Sequence, residues 1–225
     1  MRKETGFTLI ELMVTIALMA LFAVFAIPAM NGFVEKQRVN STLNNYANAL
    51  TFARNEAIRQ NVPVVVCGAQ ISRAGQLSGC APDASSWSEG VFLFGDVNKD
   101  YAYSATGSDP DTNIRVVQSP NPSGGTAKVN VKSASRSTTN TALSSNPVFL
   151  FLPNGQVARV NTGVTPKTTV VADMYLRLEV ESASDAKKKA VALMDPTGQI
   201  IYCTKKVIAN NSGGAGNNIA TLCAS

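Results

Sequence analysis

The chain has 225 residues, of which 16% are charged, and its 20 Lys and Arg outnumber its 15 Asp and Glu to give a net charge of +5. It contains no histidine, which excludes the Ser-His-Asp triad, Cys-His catalysis and histidine-ligated zinc. A chain of this length has room for one core outside a long helix, and its mild positive charge is compatible with an anionic partner without requiring one.

The first thirty residues combine a short charged leader, residues 1–6, with a long apolar segment. No charged residue occurs from Leu12 to Met30. A helix over residues 7–30 would be roughly 36 Å long at about 1.5 Å per residue, enough to cross the hydrocarbon core of a bilayer. A secretory signal carries its small-residue cleavage site after the apolar core, whereas Gly6 precedes it here. The pattern therefore predicts that cleavage would leave a membrane helix on the mature chain.

The string Gly6-Phe7-Thr8-Leu9-Ile10-Glu11 resembles the type III signal of type IV pilins and type II secretion pseudopilins. The resemblance implies that a prepilin peptidase cuts after Gly6 and methylates the new terminal amine on Phe7. It also implies that Glu11 acts in assembly by pairing with the terminal amine of a neighbouring subunit. A carboxylate inside hydrocarbon is costly unless it is paired, which agrees with such a role. The alternative is an interfacial glutamate that only reaches the lipid headgroups.

The helical pattern continues beyond the apolar segment. Apolar residues recur at steps of three and four on one face: Val39, Leu43, Tyr46, Leu50, Ala53 and Ala57. This predicts one helix from about Phe7 to about Gln60, with residues 31–61 as its amphipathic second half and Pro63 beyond its end. Pro28 lies in the helix interior, where the missing backbone donor predicts a kink, and pilins commonly carry a proline at this place.

Short β-type runs follow, and they predict a β-rich head over residues 62–225. The runs are 62–67, 91–94, 114–117, 127–131, 148–152, 157–160, 175–180, 190–194, 200–204 and 219–223. The turns Pro153-Asn154-Gly155 and Asp195-Pro196-Thr197-Gly198 predict two hairpins. The Ser- and Asn-rich stretch Ser119–Asn146 is expected to be a mobile insertion around one weak strand. The predicted fold class is α+β, with a long N-terminal helix packed on an antiparallel sheet domain.

Two motifs in this head resemble the GspH/FimT pilin family. Trp87-Ser-Glu-Gly90 with Asp96-Val-Asn98 resembles its W-x-x-G…D-x-N segment, and Phe151-Leu-Pro153-Asn-Gly155 resembles its F-x-P-x-G turn. The resemblance implies a pilin fold and a structural subunit, a minor pilin that primes type IV pilus assembly or links a tip complex to the major-pilin shaft. It implies as partners other minor pilins, the major pilin, the prepilin peptidase and the inner membrane, with the head in the periplasm. A type II secretion pseudopilin is the alternative within the same architecture.

The four cysteines, Cys67, Cys80, Cys203 and Cys223, predict two disulfides in a domain exported behind a membrane anchor. Three pairings are possible. The sequential pairing, Cys67–Cys80 and Cys203–Cys223, is favoured because each bond would close a short loop rich in Gly, Ser and Asn. Closing such a loop is worth roughly 3 kcal/mol in the chain-entropy treatment. A zinc site with four thiolates usually uses C-x-x-C pairs, which the chain lacks.

Two further patterns indicate chemistry only formally. Asp96, Asn98 and Asp100 spell the opening of a calcium loop, but Tyr101 and Gly107 stand where that loop needs Gly and Glu, so a capped turn at a strand end is favoured. Ser184-Asp-Ala-Lys187 matches S-x-x-K. The chain lacks the S-D-N partner of that motif, and Lys167-Thr168-Thr169 only imitates K-T-G, so a polar turn is predicted. We expect no catalytic residue, metal or cofactor.

Basic residues form three groups, which could bind DNA phosphates without sequence specificity. They are Lys187–Lys189, the pair Lys205 and Lys206, and a looser set of Lys128, Lys132 and Arg136. Some FimT-type minor pilins are DNA receptors through a C-terminal G-R-x-R segment, and the corresponding place here, Gly198-Gln199-Ile200-Ile201, lacks both arginines. No aromatic residues interleave with the lysines. A DNA receptor using Lys205 and Lys206 is therefore the alternative of a different class, and a solvated basic face is favoured.

Overall fold

The computed structural model describes residues 7–72, 76–81, 87–104, 111–118, 127–135, 144–145, 148–161, 168–171, 174–210 and 219–224. The chain divides into two compact units, Met1–Gln37 and Arg38–Ser225. The first helix, α1 (Leu9–Gln60), begins in the first unit and ends in the second. The predicted leader, residues 1–6, lies outside the described residues.

Helix α1 has the bounds that the apolar periodicity predicts, to within two residues at its start. It ends at Gln60. The next residue, Asn61, has a φ of 55°, the left-handed conformation common just after a helix, and Pro63 follows. The helix continues through residue 28, and a kink at Pro28 stays a prediction. Within the described residues, no helix meets the length and apolarity needed to span a bilayer, so the span expected over residues 7–30 is not found there.

Two antiparallel sheets form the rest of the second unit. The first contains β1 (Val64–Ile71), β2 (Leu77–Cys80), β3 (Gly90–Gly95), β4 (Thr112–Gln118), β7 (Val148–Phe151), β8 (Val157–Asn161) and β9 (Thr168–Val171), in the order β4-β3-β1-β7-β8-β9 with β2 also paired to β1. The second contains β5 (Ala127–Ser135), β6 (Ser144–Ser145), β10 (Met174–Ser182), β11 (Lys189–Met194) and β12 (Ile200–Tyr202), in the order β12-β11-β10-β5-β6. Two short helices, α2 (Lys205–Asn210) and α3 (Ile219–Ala224), end the described chain. The predicted α+β class is confirmed.

The main core lies between the second half of α1 and one face of each sheet. Every residue of the predicted apolar face of α1 is buried here, against Val64, Phe149 and Leu176 among others. Tyr46 donates a hydrogen bond of 2.5 Å to the carbonyl oxygen of Trp87, and burial raises the pKa of Tyr46. The indole of Trp87 stacks on Phe149 with ring centroids 5.9 Å apart. The W-x-x-G segment therefore anchors the helix to the first sheet.

The outer face of each sheet carries its own small apolar cluster. Phe92 and Phe94 lie in the cluster on the first sheet, where Tyr103 packs edge-on against both rings. The cluster on the second sheet joins Tyr175 and Leu193 to the C-terminal helices through Leu222, Ile208 and Ile219. The structure contains two disulfides, Cys67–Cys80 and Cys203–Cys223, and this is the sequential pairing.

Two predictions about this unit are wrong. Residues 219–223 form helix α3 rather than a strand, because Ile219, Leu222 and Cys223 follow helical spacing and cover one face of the second sheet. The strand predicted at 127–131 is not weak. Strand β5 has nine residues, each paired with β10. The rest of the stretch 119–146, apart from Ser144 and Ser145 in β6, lies outside the described residues.

Candidate assembly surface

The N-terminus of α1 is capped by Thr8. Its Oγ1 accepts a hydrogen bond from the backbone N–H of Glu11 at 3.3 Å, and its carbonyl oxygen accepts one from the N–H of Leu12 at 3.2 Å. Threonine is a preferred N-cap residue, because its hydroxyl oxygen satisfies a backbone donor that has no partner within the helix. The cap places Glu11 in the first turn, where the helix dipole favours negative charge.

Glu11 is exposed, and no described residue gives its carboxylate a hydrogen bond or an ion pair. Phe7, the residue expected at the mature terminus, is 87% exposed just before the helix. Gly6 lies outside the described residues. A neighbouring molecule could therefore reach both Phe7 and Glu11.

The first unit exposes the large apolar side chains that the structure describes there. Those described as large and apolar between Phe7 and Met30 are 50–87% exposed. Monomeric soluble proteins rarely expose a continuous apolar surface of this kind, and such a surface marks a site of interaction with protein or lipid. The helix therefore has the chemistry of an assembly surface.

In the second unit, Arg54 of α1 joins the two hairpin turns that the sequence predicts. Its Nε donates a hydrogen bond of 3.1 Å to the carbonyl oxygen of Gly155 in the β7–β8 turn. The N–H of Val157 donates to the carbonyl oxygen of Pro196 at 3.1 Å, which links that turn to the β11–β12 turn. Gly155 and Gly198 both have positive φ, 80° and 81°. A Cβ atom on Gly198 would lie 2.6 Å from Cδ of Arg54, so the close approach depends on glycine.

The Asp96 loop follows β3. The amide group of Asn98 and the N–H of Ala102 both donate to the carboxylate of Asp100, so these side chains form local turn bonds. Asp96 is fully buried, and burial raises the pKa of its carboxyl group. Hydrogen bonds from the backbone N–H groups of Tyr101 and Lys99 lower that pKa, but by less. In the described part of the chain no group of three or more His, Cys, Asp or Glu side chains could hold a metal. The loop therefore lacks the ligand arrangement that D-x-N-x-D suggests.

The basic residues lie on different elements and several are paired. Lys189 contacts Glu179 with Nζ and Oε1 3.3 Å apart, and Lys188 contacts Asp185 at 3.8 Å. Glu181 of β10 lies opposite Lys189 on one side and Lys128 on the other. Opposite charges on neighbouring strands attract one another and reduce the net field of the lysines.

Three further basic residues belong to the groups defined in the sequence analysis. Lys205 and Lys206 are exposed on α2, and Arg136 lies outside the described residues. Gln199 is exposed in the β11–β12 turn and Ile201 lies on β12. The structure therefore places the lysines of the sequence analysis on β5, β11, α2 and the turn between β10 and β11.

Ser184 and Lys187 lie in the turn between β10 and β11, as predicted for a polar turn. The hydroxyl oxygens of Ser184 and Ser182 are 3.2 Å apart, and the N–H of Lys187 donates to Asp185. Lys167 lies outside the described residues. Ser184 and Lys187 therefore do not lie at the start of a helix, which the S-x-x-K motif requires.

A buried ion pair holds the C-terminus. Arg177 and Glu179 are neighbours on the outer face of β10, with Nη1 and Oε2 2.5 Å apart. Nε of Arg177 also donates to the carbonyl oxygen of Leu222 in α3 at 2.8 Å. Arginine often satisfies the last carbonyls of a helix in this way. Together with Cys203–Cys223, this bond attaches α3 to the second sheet.

Comparison with known proteins identifies the family. The prokaryotic N-terminal methylation motif matches residues 1–27, and the family described as Type II transport protein GspH matches residues 42–192, about two thirds of the chain. The chain belongs to the GspH family. Members of this family are pilin-like structural subunits, minor pilins and pseudopilins. No curated protein matches the chain.

Two crystal structures of the type IV minor pilin FimU from Pseudomonas aeruginosa (strain PAO1) are similar to this GspH-family chain. The first is 15% identical to this chain, with a TM-score of 0.43, and the match covers 76% of this chain and 91% of the FimU chain. The second is 14% identical, with a TM-score of 0.40, and the match covers 72% of this chain and 90% of the FimU chain. The family assignment rests on the two family matches. The GspH match ends at residue 192, so β12, α2, α3 and the bond Cys203–Cys223 lie beyond it.

Sequence reasoning missed three residues that the structure makes central in this GspH-family chain: Arg54, Asp111 and Arg177. Arg54 lies off the apolar stripe of the helix, and its role depends on two turns that are about 100 and 140 residues further along the chain. Asp111 is buried just before β4, and the pairing of β4 with β3 brings it to the same end of the sheet as the buried Asp96. The sequence did contain an indication for Arg177. It lies two positions before Glu179 on a largely apolar strand, and opposite charges at that spacing indicate a buried ion pair.

Proposed function

We propose that this protein is a minor pilin of a type IV pilus, a structural subunit that primes assembly or links a tip complex to the major-pilin shaft. The first unit supplies the packing surface through which it joins other minor pilins and the major pilin. The second unit is the head that other subunits contact. The GspH family includes both minor pilins and pseudopilins.

One observation carries the proposal. The start of α1 is capped, its described large apolar side chains are at least half exposed, and the carboxylate of Glu11 has no described partner. Apolar surface of this extent needs lipid or protein to cover it. The carboxylate needs a positive partner once it is removed from water. Another subunit with a free terminal amine meets both requirements.

The same segment supports a processing step and a location. In the proposal, a prepilin peptidase cuts after Gly6 and methylates the amine of Phe7, so that Glu11 becomes the fifth residue of the mature chain. Before assembly, residues 7–30 lie in the inner membrane with the head in the periplasm. After assembly they lie in the filament.

A type II secretion pseudopilin is the second candidate, and the description of the matching family favours it. The two candidates differ in what is lost with the protein. Cells lacking this chain should lose sheared surface pili and keep secretion of a type II substrate if the first candidate is correct. The reverse pattern would show that the protein is a pseudopilin.

Replacement of Glu11 tests the assembly role. We expect Glu11→Ala to leave processing at Gly6 and membrane insertion intact but to reduce incorporation into sheared pili at least tenfold. A partial rescue by Glu11→Asp would show that the charge matters. Lys36→Ala is the matched control, because Lys36 is an exposed charge on the same helix beyond the apolar segment. Equal incorporation of Glu11→Ala and wild-type protein would contradict the proposal.

A further inference from the structure

The loop between β3 and β4 has two buried carboxylates at its base. Gly95 and Thr112 are the last registered pair of these antiparallel strands, and Asp96 and Asp111 are the next residue along the chain from each of them. Residues directly opposite in an antiparallel pair point to the same side, with Cβ atoms about 4.5–5.5 Å apart. Asp96 is 0% exposed and Asp111 is 7% exposed. Two acidic side chains are therefore brought together away from water.

Each carboxylate leaves one oxygen without a partner. Oδ2 of Asp96 accepts from the N–H of Tyr101 at 3.2 Å, and Oδ2 of Asp111 accepts from the N–H of Ser104 at 2.8 Å. Oδ1 of both residues is buried and has no hydrogen-bond partner among the described atoms. No described Lys or Arg forms an ion pair with either residue. Adjacent buried negative charges are costly without a counter-charge.

We propose that Oδ1 of Asp96 and Oδ1 of Asp111 bind a calcium ion. The chain has no histidine and all four cysteines are in disulfides, so a soft or nitrogen-preferring metal has no suitable ligand here. Two carboxylates are too few for a cage of side chains alone. Calcium takes six to eight oxygen ligands and accepts main-chain carbonyls and water among them, with flexible geometry. Magnesium demands a near-ideal octahedron, which makes it the poorer fit.

The site differs from the calcium loop that the sequence suggests. Asn98 and Asp100 are engaged in local turn bonds, and the second ligand, Asp111, stands 15 positions after Asp96. The ion would connect the two ends of the loop that carries Tyr101 and Tyr103. Because Tyr103 packs against Phe92 and Phe94, a bound ion would also hold the outer cluster of the first sheet in place.

The test uses the full chain in detergent, treated with EDTA and then titrated with calcium near neutral pH. We expect one calcium ion per chain by calorimetry. At a calcium concentration 100-fold above Kd, the ratio of folded to unfolded protein should rise about 100-fold. For a chain of this size, that corresponds to an increase in Tm of about 5–11 °C. Magnesium at the same concentration should give a much smaller increase.

Replacement of each aspartate by asparagine removes its charge with little change in shape and tests whether that residue binds the calcium ion. Asp96→Asn and Asp111→Asn should each abolish the response to calcium. Their Tm in EDTA should equal or exceed that of wild-type protein, because one of two repelling charges is gone. Asp185→Asn, which neutralises a partly exposed aspartate in the β10–β11 turn, should keep the full response.

Three outcomes would overturn the proposal. One is a wild-type Tm that calcium does not change. The second is an equal response in the two Asn variants and in wild-type protein, which would place the ion elsewhere. The third is an equal response to magnesium, which would remove the assignment to calcium.

Discussion

Gly198 offers a quantitative test of how the head is held together. Its φ of 81° lies in the left-handed region, and a Cβ atom there would meet Cδ of Arg54 at 2.6 Å, Nε of Arg54 at 2.8 Å and the carbonyl oxygen of Gly155 at 3.0 Å. Gly198→Ala must therefore strain the backbone and displace Arg54. Displacement breaks the bond between Arg54 and the carbonyl oxygen of Gly155.

The cost follows from these two effects. A non-glycine residue in the left-handed region costs about 1–2 kcal/mol. Loss of a hydrogen bond from a charged donor costs about 1.5–3 kcal/mol. Allowing for relaxation of the flexible arginine, we expect a loss of about 2–4 kcal/mol in the free energy of unfolding, which lowers Tm by about 5–15 °C in a chain of this size.

Thermal unfolding of the full chain in detergent measures this loss, and two glycines supply controls. Gly32→Ala should be neutral or slightly stabilising, because nothing lies within 4 Å of the added Cβ and alanine favours the helix. Gly79→Ala should show the backbone cost alone, since its φ is 122° and its nearest contact is an ordinary 3.7 Å.

A double-mutant cycle with Arg54→Ala separates the steric clash with Arg54 from the strain in the backbone at residue 198. If Arg54 is the obstacle, the double variant should lose at least about 1 kcal/mol less than the sum of the single variants. Additive losses would refute the proposed contact. A Gly198→Ala Tm equal to that of wild-type protein would refute the geometry of the turn itself.

Two further predictions concern the C-terminus and DNA. Replacing Cys203 and Cys223 with Ser should destabilise the chain by about 3 kcal/mol and speed hydrogen exchange in α3, measured by mass spectrometry. The reason is that only the contacts of Leu222 and its neighbours would then hold that helix. A Cys67–Cys203 peptide in a non-reducing map would contradict the pairing. In gel-shift titrations near physiological salt, the full chain in detergent should bind duplex DNA weakly, because its lysines are spread over several elements and several are paired. Low-micromolar binding that falls sharply in Lys205→Ala/Lys206→Ala would overturn this expectation and favour the DNA-receptor alternative.

Local patterns allowed much of the fold to be predicted from the sequence. The stripe from Val39 to Ala57 predicts the buried face of α1 because side-chain spacing alone decides which face of a helix is apolar. The turns ending at Gly155 and Gly198 are predictable because a positive φ strongly favours glycine. Both signals are contained within a few residues.

The errors occur where distant residues decide the structure. The apolar residues of α3 fit helical spacing, but six residues are too few to distinguish a helix from a strand by that spacing alone. The segment is helical because its apolar face covers the second sheet and Cys223 is bonded to Cys203. Strand β5 contains few apolar residues, yet it pairs along its whole length because β10 lies beside it. The pair Asp96 and Asp111 exists only through the register of β3 and β4. None of these relations is visible in a sequence window.

If this protein is a processed subunit of a pilus, it must be present in purified pili without its leader. Mass spectrometry of sheared and purified pili from wild-type cells tests it most directly. We expect peptides of this chain in the pili at substoichiometric abundance relative to the major pilin, with an N-terminal peptide that begins at a methylated Phe7. Absence of the chain from pili, or a chain in pili that still carries residues 1–6, would contradict the account.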